Sequence, residues 1–259
     1  MKNIINDTSD KIKLFEVSQK NNILNQKNLE LKDSIIFFVF YIILSTSFYW
    51  ILLSESNYNI ETRYLLTQIS SIIVFIIIQK FLDFNFFSDG LNFMEIKNSI
   101  MISLKYFLKT YIVAGIIASV IIFLLYRLGY TERTIFEPTP KMLEEGHPLI
   151  TIIKNKNLVR FLLYSFTTLL LGPVLEEIFY RRLIYCSFRE KYSFNISLIL
   201  SSLIFAVMHP GFFRQVFLHG LLIGNLYEKK CDLVSVVFLH FLINFSTSII
   251  IIYMFKELI

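Results

Sequence analysis

Residues 161–185 read FLLYSFTTLLLGPVLEEIFYRRLIY, and the class of fold follows from this segment. It opens with an apolar run, and the Gly172-Pro173 pair that follows is a combination that bends helices. Two glutamates and two arginines come next, at Glu176, Glu177, Arg181 and Arg182. Ionisable groups inside a bilayer cost about 2.5 to 3.5 kcal/mol each, so those that remain usually serve a site or a pathway. The segment therefore indicates a membrane helix that carries functional groups.

The composition of the whole chain agrees with a membrane protein. Of the 259 residues, 55% are hydrophobic and only 17% are charged, and the mean hydropathy is +0.59. In a soluble domain about a quarter of the residues are charged, so the apolar excess of this chain must face lipid. The net charge is +5, but the apolar segments leave no basic face for nucleic acid, and we interpret the basic excess as a determinant of membrane topology. The two cysteines, Cys186 and Cys231, are too few for a disulfide framework.

Apolar runs along the chain predict an all-α, polytopic membrane protein of about seven transmembrane helices, within a range of six to eight. The clearest span is 35–53, which has no charge and ends near Tyr49 and Trp50, as an interfacial aromatic belt would. The other predicted spans are 64–78, 106–126, the run that begins near Phe161, 196–208, 212–227 and 233–255.

The parts outside these spans give the predicted domain organisation and orientation. Residues 1–32 form a polar tail without the apolar segment of a secretory signal peptide, and residues 33–259 form a single membrane domain. Lysine and arginine concentrate in alternate connections, which predicts an integral protein of the cell membrane with a cytoplasmic N-terminus. The long connection 127–160, rich in charge and proline, is interpreted as a lid or gate over the membrane surface.

Helix geometry separates the two glutamates. Glu177 and Arg181 are four residues apart and lie on one face, with the acid N-terminal to the base, which favours an ion pair. Glu176 lies about 100° further round the helix and cannot readily share that arginine. We therefore predict that Glu177 and Arg181 form a structural ion pair, and that Glu176 is a free carboxylate able to act as a general base. The alternative is that both glutamates simply mark the membrane interface.

Polar residues also interrupt the later apolar runs. His209 ends one run, and His240 and Asn244 are four residues apart, so they project from one face of the last span. Each also has a purely structural interpretation: His209 as an interfacial histidine, and His240 and Asn244 as groups that hydrogen-bond across the bundle. His219 lies next to a glycine, and we interpret it as a marker of close helix packing.

Taken together, these positions predict a hydrolytic site. One carboxylate, two imidazoles and an amide are the minimum set for activating water and stabilising an oxyanion: Glu176, His209, His240 and Asn244. Two imidazoles and a carboxylate also form a familiar zinc shell, so a metal at Glu176, His209 and His240 and a reaction without any cofactor both remain open. The sequence contains no phosphate-binding glycine loop and no H-E-x-x-H motif.

The order of the motifs resembles the CPBP intramembrane proteases. This family includes the CAAX prenyl-protein endopeptidases of the Ras-converting type and bacterial relatives in bacteriocin processing or immunity. The motifs are EEIFYR at 176–181, FAVMH at 205–209 and HFLIN at 240–244, with a glycine-containing helix at 217–227 before the last one. The resemblance covers about 158–255, which we take as the catalytic core. Arg182 is a departure, because the family commonly has glycine there.

The resemblance implies an intramembrane endopeptidase, with the substrate and the lipid bilayer as its partners. We expect it to act on a membrane-associated peptide or leader rather than on a lipidated peptide. In that scheme Glu176 and His209 activate water, while His240 and Asn244 stabilise the oxyanion. The main alternative is a bacteriocin-immunity or partner-binding membrane protein that does not depend on catalysis. A transporter with a proton relay is a third possibility, but the sequence shows no inverted repeat to support it.

The depth of His209 conflicts with this scheme. The 196–208 segment and the span that carries His240 enter the membrane from the same side, and His209 lies at the far end of its segment. Unless that helix starts deep or tilts strongly, or a kink at Gly172-Pro173 re-aims the span before Glu176, we expect His209 to lie too far outward to meet Glu176.

Overall fold

The computed structural model describes residues 93–130, 148–209 and 212–255, together with helical positions 31–37, 39, 40, 43, 69, 72, 73, 76 and 80. The predicted tail up to residue 30, most of the first two predicted spans and the connection 131–147 lie outside the described residues. Within the described residues every regular element is a helix.

The described residues from 93 onward contain six helices. They are α1 (Phe93–Arg127), α2 (Pro148–Lys154), α3 (Leu158–Lys191), α4 (Phe194–Val207), α5 (Phe213–Lys230) and α6 (Leu233–Met254). Three of these, α1, α3 and α6, are long and apolar enough to cross a membrane, and α4 is a shorter apolar helix. The predicted fold class, an all-α polytopic membrane protein, is confirmed.

Helix α3 is irregular, because two π-helical segments interrupt it, at Thr167–Leu171 and Ile178–Tyr185. The first precedes Pro173, which has no N–H to donate to the turn before it. The N–H of Gly172 bonds five residues back, to the carbonyl of Thr167, as in a π-helix. The predicted bend at the glycine and proline is therefore a widened turn inside a continuous helix. The glutamates lie in the short α-helical stretch between the two π segments.

The core forms where α3, α5 and α6 meet, and α1 packs along α6. Its buried members include Tyr185 of α3, Tyr227 of α5 and Leu239 of α6. A buried ion pair joins the end of α3 to α5, since Arg189 Nη2 lies 3.0 Å from Glu228 Oε1. These contacts hold the three helices at fixed positions around the site.

Helices α4 and α5 approach closely at glycines of α5. A Cβ at Gly220 would lie 2.9 Å from the Cβ of Ser202, and one at Gly224 would lie 2.5 Å from a methyl carbon of Leu198. At Gly220 the neighbouring atoms are the Cβ and backbone of Ser202, so only glycine permits this approach, whereas at Gly224 the neighbour is the movable end of a leucine side chain. The close packing predicted around His219 is present.

This packing yields a stability prediction. Gly220→Ala should destabilise the protein by about 1 to 3 kcal/mol, because the added methyl group forces α4 and α5 apart. Thermal unfolding in detergent measures the effect. The matched control is Gly115→Ala in α1, where an added Cβ meets no atom within 4 Å. An equal loss of stability in both variants would contradict the packing explanation.

Candidate active site

Glu177 lies at the centre of the site, fully buried, with both carboxylate oxygens in use. Its Oε2 accepts a hydrogen bond from Nε of Arg181 at 2.7 Å, and its Oε1 lies 2.8 Å from Nδ1 of His240. The structure thus contains the ion pair expected from the four-residue spacing. The contact with His240 has no local sequence signal, because it joins residues 63 positions apart in the chain.

The contact with Glu177 determines which nitrogen of His240 is available. A carboxylate can only accept, so Nδ1 of His240 carries the proton in this hydrogen bond. Nε2 then faces the other glutamate and lies 3.8 Å from Oε2 of Glu176. Glu177 is therefore a positioning residue that orients the imidazole toward Glu176.

His209 is oriented in a similar way by the backbone. Its Nδ1 lies 2.9 Å from the carbonyl oxygen of Phe205, which can only accept, so Nδ1 is again the donor. Its Nε2 lies 4.0 Å from Oε1 of Glu176. Both imidazoles therefore direct Nε2 at the same carboxylate, one toward each oxygen.

Phe205 forms an apolar wall of the site. Its ring centroid lies 5.0 Å from the ring of His209 and 6.0 Å from the ring of His240. The guanidinium of Arg181 lies over the same ring, 5.6 Å from its centroid. The F-x-x-x-H pattern thus has a physical basis, since Phe205 supplies both the carbonyl that orients His209 and the ring that both histidines contact.

The expected separation of His209 from Glu176 is wrong. Helix α4 has 14 residues and therefore spans about 21 Å at ~1.5 Å per residue, less than the hydrocarbon thickness of about 30 Å. The structure places Nε2 of His209, two residues beyond the end of α4, 4.0 Å from Oε1 of Glu176. Sequence hydropathy could not show this depth, which depends on how α4 packs against α3 and α5.

Asn244 contacts the backbone of α3. Its Nδ2 donates to the carbonyl oxygen of Thr168 at 3.0 Å. In a π-helical turn this carbonyl would accept from the N–H of residue 173, which is a proline and has none. Asn244 supplies the missing donor and retains a second amide proton. Pro173 is the sequence signal for an unpaired carbonyl, but its partner could be found only from the fold.

Glu176 is more accessible than Glu177. The side chain of Glu176 is 22% exposed and that of His209 is 33% exposed, whereas Glu177 has no exposed surface. Within the described residues, the histidines within 4.0 Å of Glu176 are His209 and His240, and His219 is not among them. Glu176 and His209 are therefore partly accessible, whereas the ion pair of Glu177 and Arg181 is buried.

Glu176, His209 and His240 are also predicted as possible ligands of a metal ion. Two Nε2 atoms and a carboxylate are chemically suitable zinc ligands, and each histidine has its other nitrogen held by an acceptor, as metal ligands usually do. However, no three histidine, cysteine, aspartate or glutamate side chains of the described residues are close enough together to hold a metal ion.

Comparison with known families is consistent with this site. Residues 158–246 match the family model described as Type II CAAX prenyl endopeptidase Rce1-like, and the resemblance to the CPBP family inferred from the motifs is confirmed. The matched region is about a third of the chain and includes all three motifs. No curated protein and no solved structure matches the chain.

The buried ion pair yields a second prediction. Arg181→Met should destabilise the protein by about 3 to 5 kcal/mol, because it leaves the buried charge of Glu177 without its arginine. The double variant Glu177→Gln/Arg181→Met should recover much of the loss, since replacing both charges is often close to neutral. Thermal unfolding in detergent measures both variants.

The control for this experiment is Arg127→Met, at an exposed arginine near the end of α1. It should change stability by less than about 0.5 kcal/mol. A double variant that is less stable than Arg181→Met would show that the arginine does not act through Glu177.

Proposed function

We propose that this chain is an intramembrane endopeptidase that hydrolyses a peptide bond of a membrane-associated peptide, with Glu176 as the base that activates water. One observation carries the proposal: Glu176 lies 3.8 to 4.0 Å from the Nε2 atoms of His209 and His240, which come from different parts of the fold. These residues all lie in the region that matches the type II CAAX prenyl endopeptidase family.

The distances between these groups suit a bridging water. A separation of 3.8 to 4.0 Å is too long for a direct hydrogen bond, and a contact of that length is commonly mediated by water. A water bound there donates one proton to the carboxylate of Glu176 and the other to the bare Nε2 of His209. Its oxygen is then free to attack a carbonyl carbon held above it.

The hydrolysis step follows from this arrangement. Glu176 takes a proton from the water as the oxygen bonds to the scissile carbonyl carbon, and the carbonyl oxygen becomes an oxyanion. The carbon–nitrogen bond then breaks, and Glu176 passes the proton to the leaving amine. Water is thus divided between the new carboxyl group and the new amine, and the mechanism needs no metal ion.

His240 and Asn244 are the groups proposed to stabilise the oxyanion. Since Nδ1 of His240 already donates to Glu177, Nε2 can donate to the oxyanion only when the ring is an imidazolium. Asn244 has one amide proton left after its bond to Thr168. Two donors are the usual minimum of an oxyanion hole.

The proposal extends to the setting of the protein. We infer a cell-membrane location with a cytoplasmic N-terminus, a peptide or protein substrate presented at the bilayer, and no obligatory cofactor. The family match favours a substrate with a CAAX-type end over an unmodified leader.

The central test is Glu176→Gln. The purified variant should cleave a prenylated CAAX-type peptide, or a member of a membrane-peptide library, about 10² to 10⁴ times more slowly than wild type, because a general base is lost. The unfolding temperature should change little, since Glu176 is partly exposed and does not contact Arg181. The control is Glu190→Gln, on the same helix but outside the three motifs.

Each variant is also assayed with a chelator. Cleavage that depends on Glu176 and survives chelation supports the mechanism, whereas loss on chelation that zinc restores would contradict it. Undiminished cleavage by Glu176→Gln would show that another group is the base. Folded protein that cleaves no peptide in any form would favour a binding or immunity function.

A separate prediction concerns the two roles of Asn244, which bonds the Thr168 carbonyl and is proposed to stabilise the oxyanion. Asn244→Ala should reduce stability by about 1 to 3 kcal/mol, because the Thr168 carbonyl is left unpaired, and should also reduce kcat. Adding Pro173→Ala restores a backbone N–H that the carbonyl can accept from. We expect the double variant to regain stability in thermal unfolding but not kcat. If kcat returned together with stability, Asn244 would be a positioning residue only.

A further inference from the structure

A groove of about 720 Å³ lies between α1 and α5, and it shares no residue with the site around Glu176. Four of the described residues that line it are lysines, and none of the described lining residues is an aspartate or glutamate. The lysines are Lys105 and Lys109 from α1 and Lys229 and Lys230 from α5. They are brought together by the fold, since more than a hundred residues separate the two pairs in the sequence.

The positive charge of the groove is not neutralised by the described part of the chain. All four lysines are exposed, and none of them pairs with a described carboxylate. Glu228, the residue before Lys229, is buried and already bound by Arg189 and Tyr185. The ammonium of Lys229 lies 6.0 Å from the ring centroid of Tyr106, a cation–π contact that holds it at the groove.

The lining of the groove changes from basic to apolar along α1. Beyond Lys109 its wall consists of Thr110, whose hydroxyl donates to the carbonyl of Tyr106, and then of Val113, Ala114 and Ile117. Ile117 lies about 12 Å beyond Lys109 along the helix at ~1.5 Å per residue. This part of α1 belongs to a candidate membrane span whose most apolar stretch has no buried residue. The groove is therefore basic at one end and apolar at the other, and it adjoins a helix surface that faces lipid.

We propose that this groove binds an anionic phospholipid. The lysines contact the phosphate, and an acyl chain lies along Val113, Ala114 and Ile117. Basic pockets between transmembrane helices are suited to anionic headgroups, and lysine binds phosphate as a point charge. A zwitterionic lipid such as phosphatidylcholine fits less well, because its own cation meets the same lysines.

The bound lipid would connect two parts of the chain. Helix α1 lies outside the region that matches the endopeptidase family, whereas α5 lies within it. A phosphate held by lysines of both helices bridges them, so it adds to the direct packing of α1 against α6. This inference does not depend on the proposed proteolytic function.

Native mass spectrometry of the purified chain in neutral detergent tests the headgroup. Phosphatidylglycerol and phosphatidylcholine with identical acyl chains are titrated, and phosphatidylglycerol should be retained at least about tenfold more tightly. The variant Lys109→Gln/Lys229→Gln should bind phosphatidylglycerol about thirtyfold more weakly, because each lysine near an anionic lipid contributes about fivefold.

The matched control is Lys97→Gln/Lys191→Gln, which removes the same charge from exposed lysines outside the groove. It should weaken binding by less than about threefold if the site is local. An equal loss in both double variants would show diffuse attraction and would overturn the proposal. Equal retention of the two lipids by the wild-type chain would overturn it as well.

The apolar end is tested without changing any charge. Ala114→Phe fills the groove and should abolish both the retention of phosphatidylglycerol and the rise in unfolding temperature that this lipid produces. Gly115→Phe, on the same helix but outside the groove wall and with no atom within 4 Å of an added Cβ, should leave both unchanged. Wild-type binding by Ala114→Phe would overturn the acyl-chain assignment.

Competition with glycerol 3-phosphate distinguishes a lipid site from a site for soluble phosphate. At millimolar concentration it should not displace phosphatidylglycerol, because it lacks the acyl chain. Full displacement would show that the lysines bind free phosphate, and the lipid assignment would then be wrong.

Discussion

The buried carboxylate of Glu177 is the interaction on which the geometry of the site depends. It accepts from Arg181 one turn along its own helix and from His240 on α6, so it joins the two helices that carry the main catalytic candidates. Burying such charges costs free energy unless each is paired and hydrogen-bonded. Here both oxygens are bonded, and the same contact fixes which nitrogen of His240 faces Glu176. The stability of the fold and the geometry of the site are therefore coupled through one side chain.

The irregularity of α3 has a related origin. Pro173 removes a backbone donor and the preceding turn widens into a π-helix, which leaves the Thr168 carbonyl to be bonded by Asn244 of α6. Helices α3 and α6 are thus joined twice, once by a carboxylate and an imidazole and once by an amide and a carbonyl. The two α6 residues are one helical turn apart, so both bonds control the rotation of α6 against α3.

The site around Glu177 and the groove between α1 and α5 differ in whether their charged side chains are paired. Around Glu177 the opposite charges are buried and paired, whereas the groove between α1 and α5 has four exposed lysines that pair with no carboxylate of the described residues. Paired buried charges hold a fixed geometry. Unpaired charges at a membrane surface attract an anionic ligand. The first arrangement suits a catalytic site, and the second suits a lipid site.

The sequence by itself determined the features that depend on composition and local spacing. The all-α membrane class follows from the apolar excess, the ion pair of Glu177 and Arg181 follows from a four-residue spacing, and the order of the three motifs indicates the family. Only the tertiary structure decided that Glu177 also orients His240, that Asn244 bonds Thr168, and that His209 reaches Glu176. Each of these is a contact between distant parts of the chain. The distances between the contacting atoms depend on where α4 ends and how far α3 widens. Hydropathy and periodicity do not encode either feature.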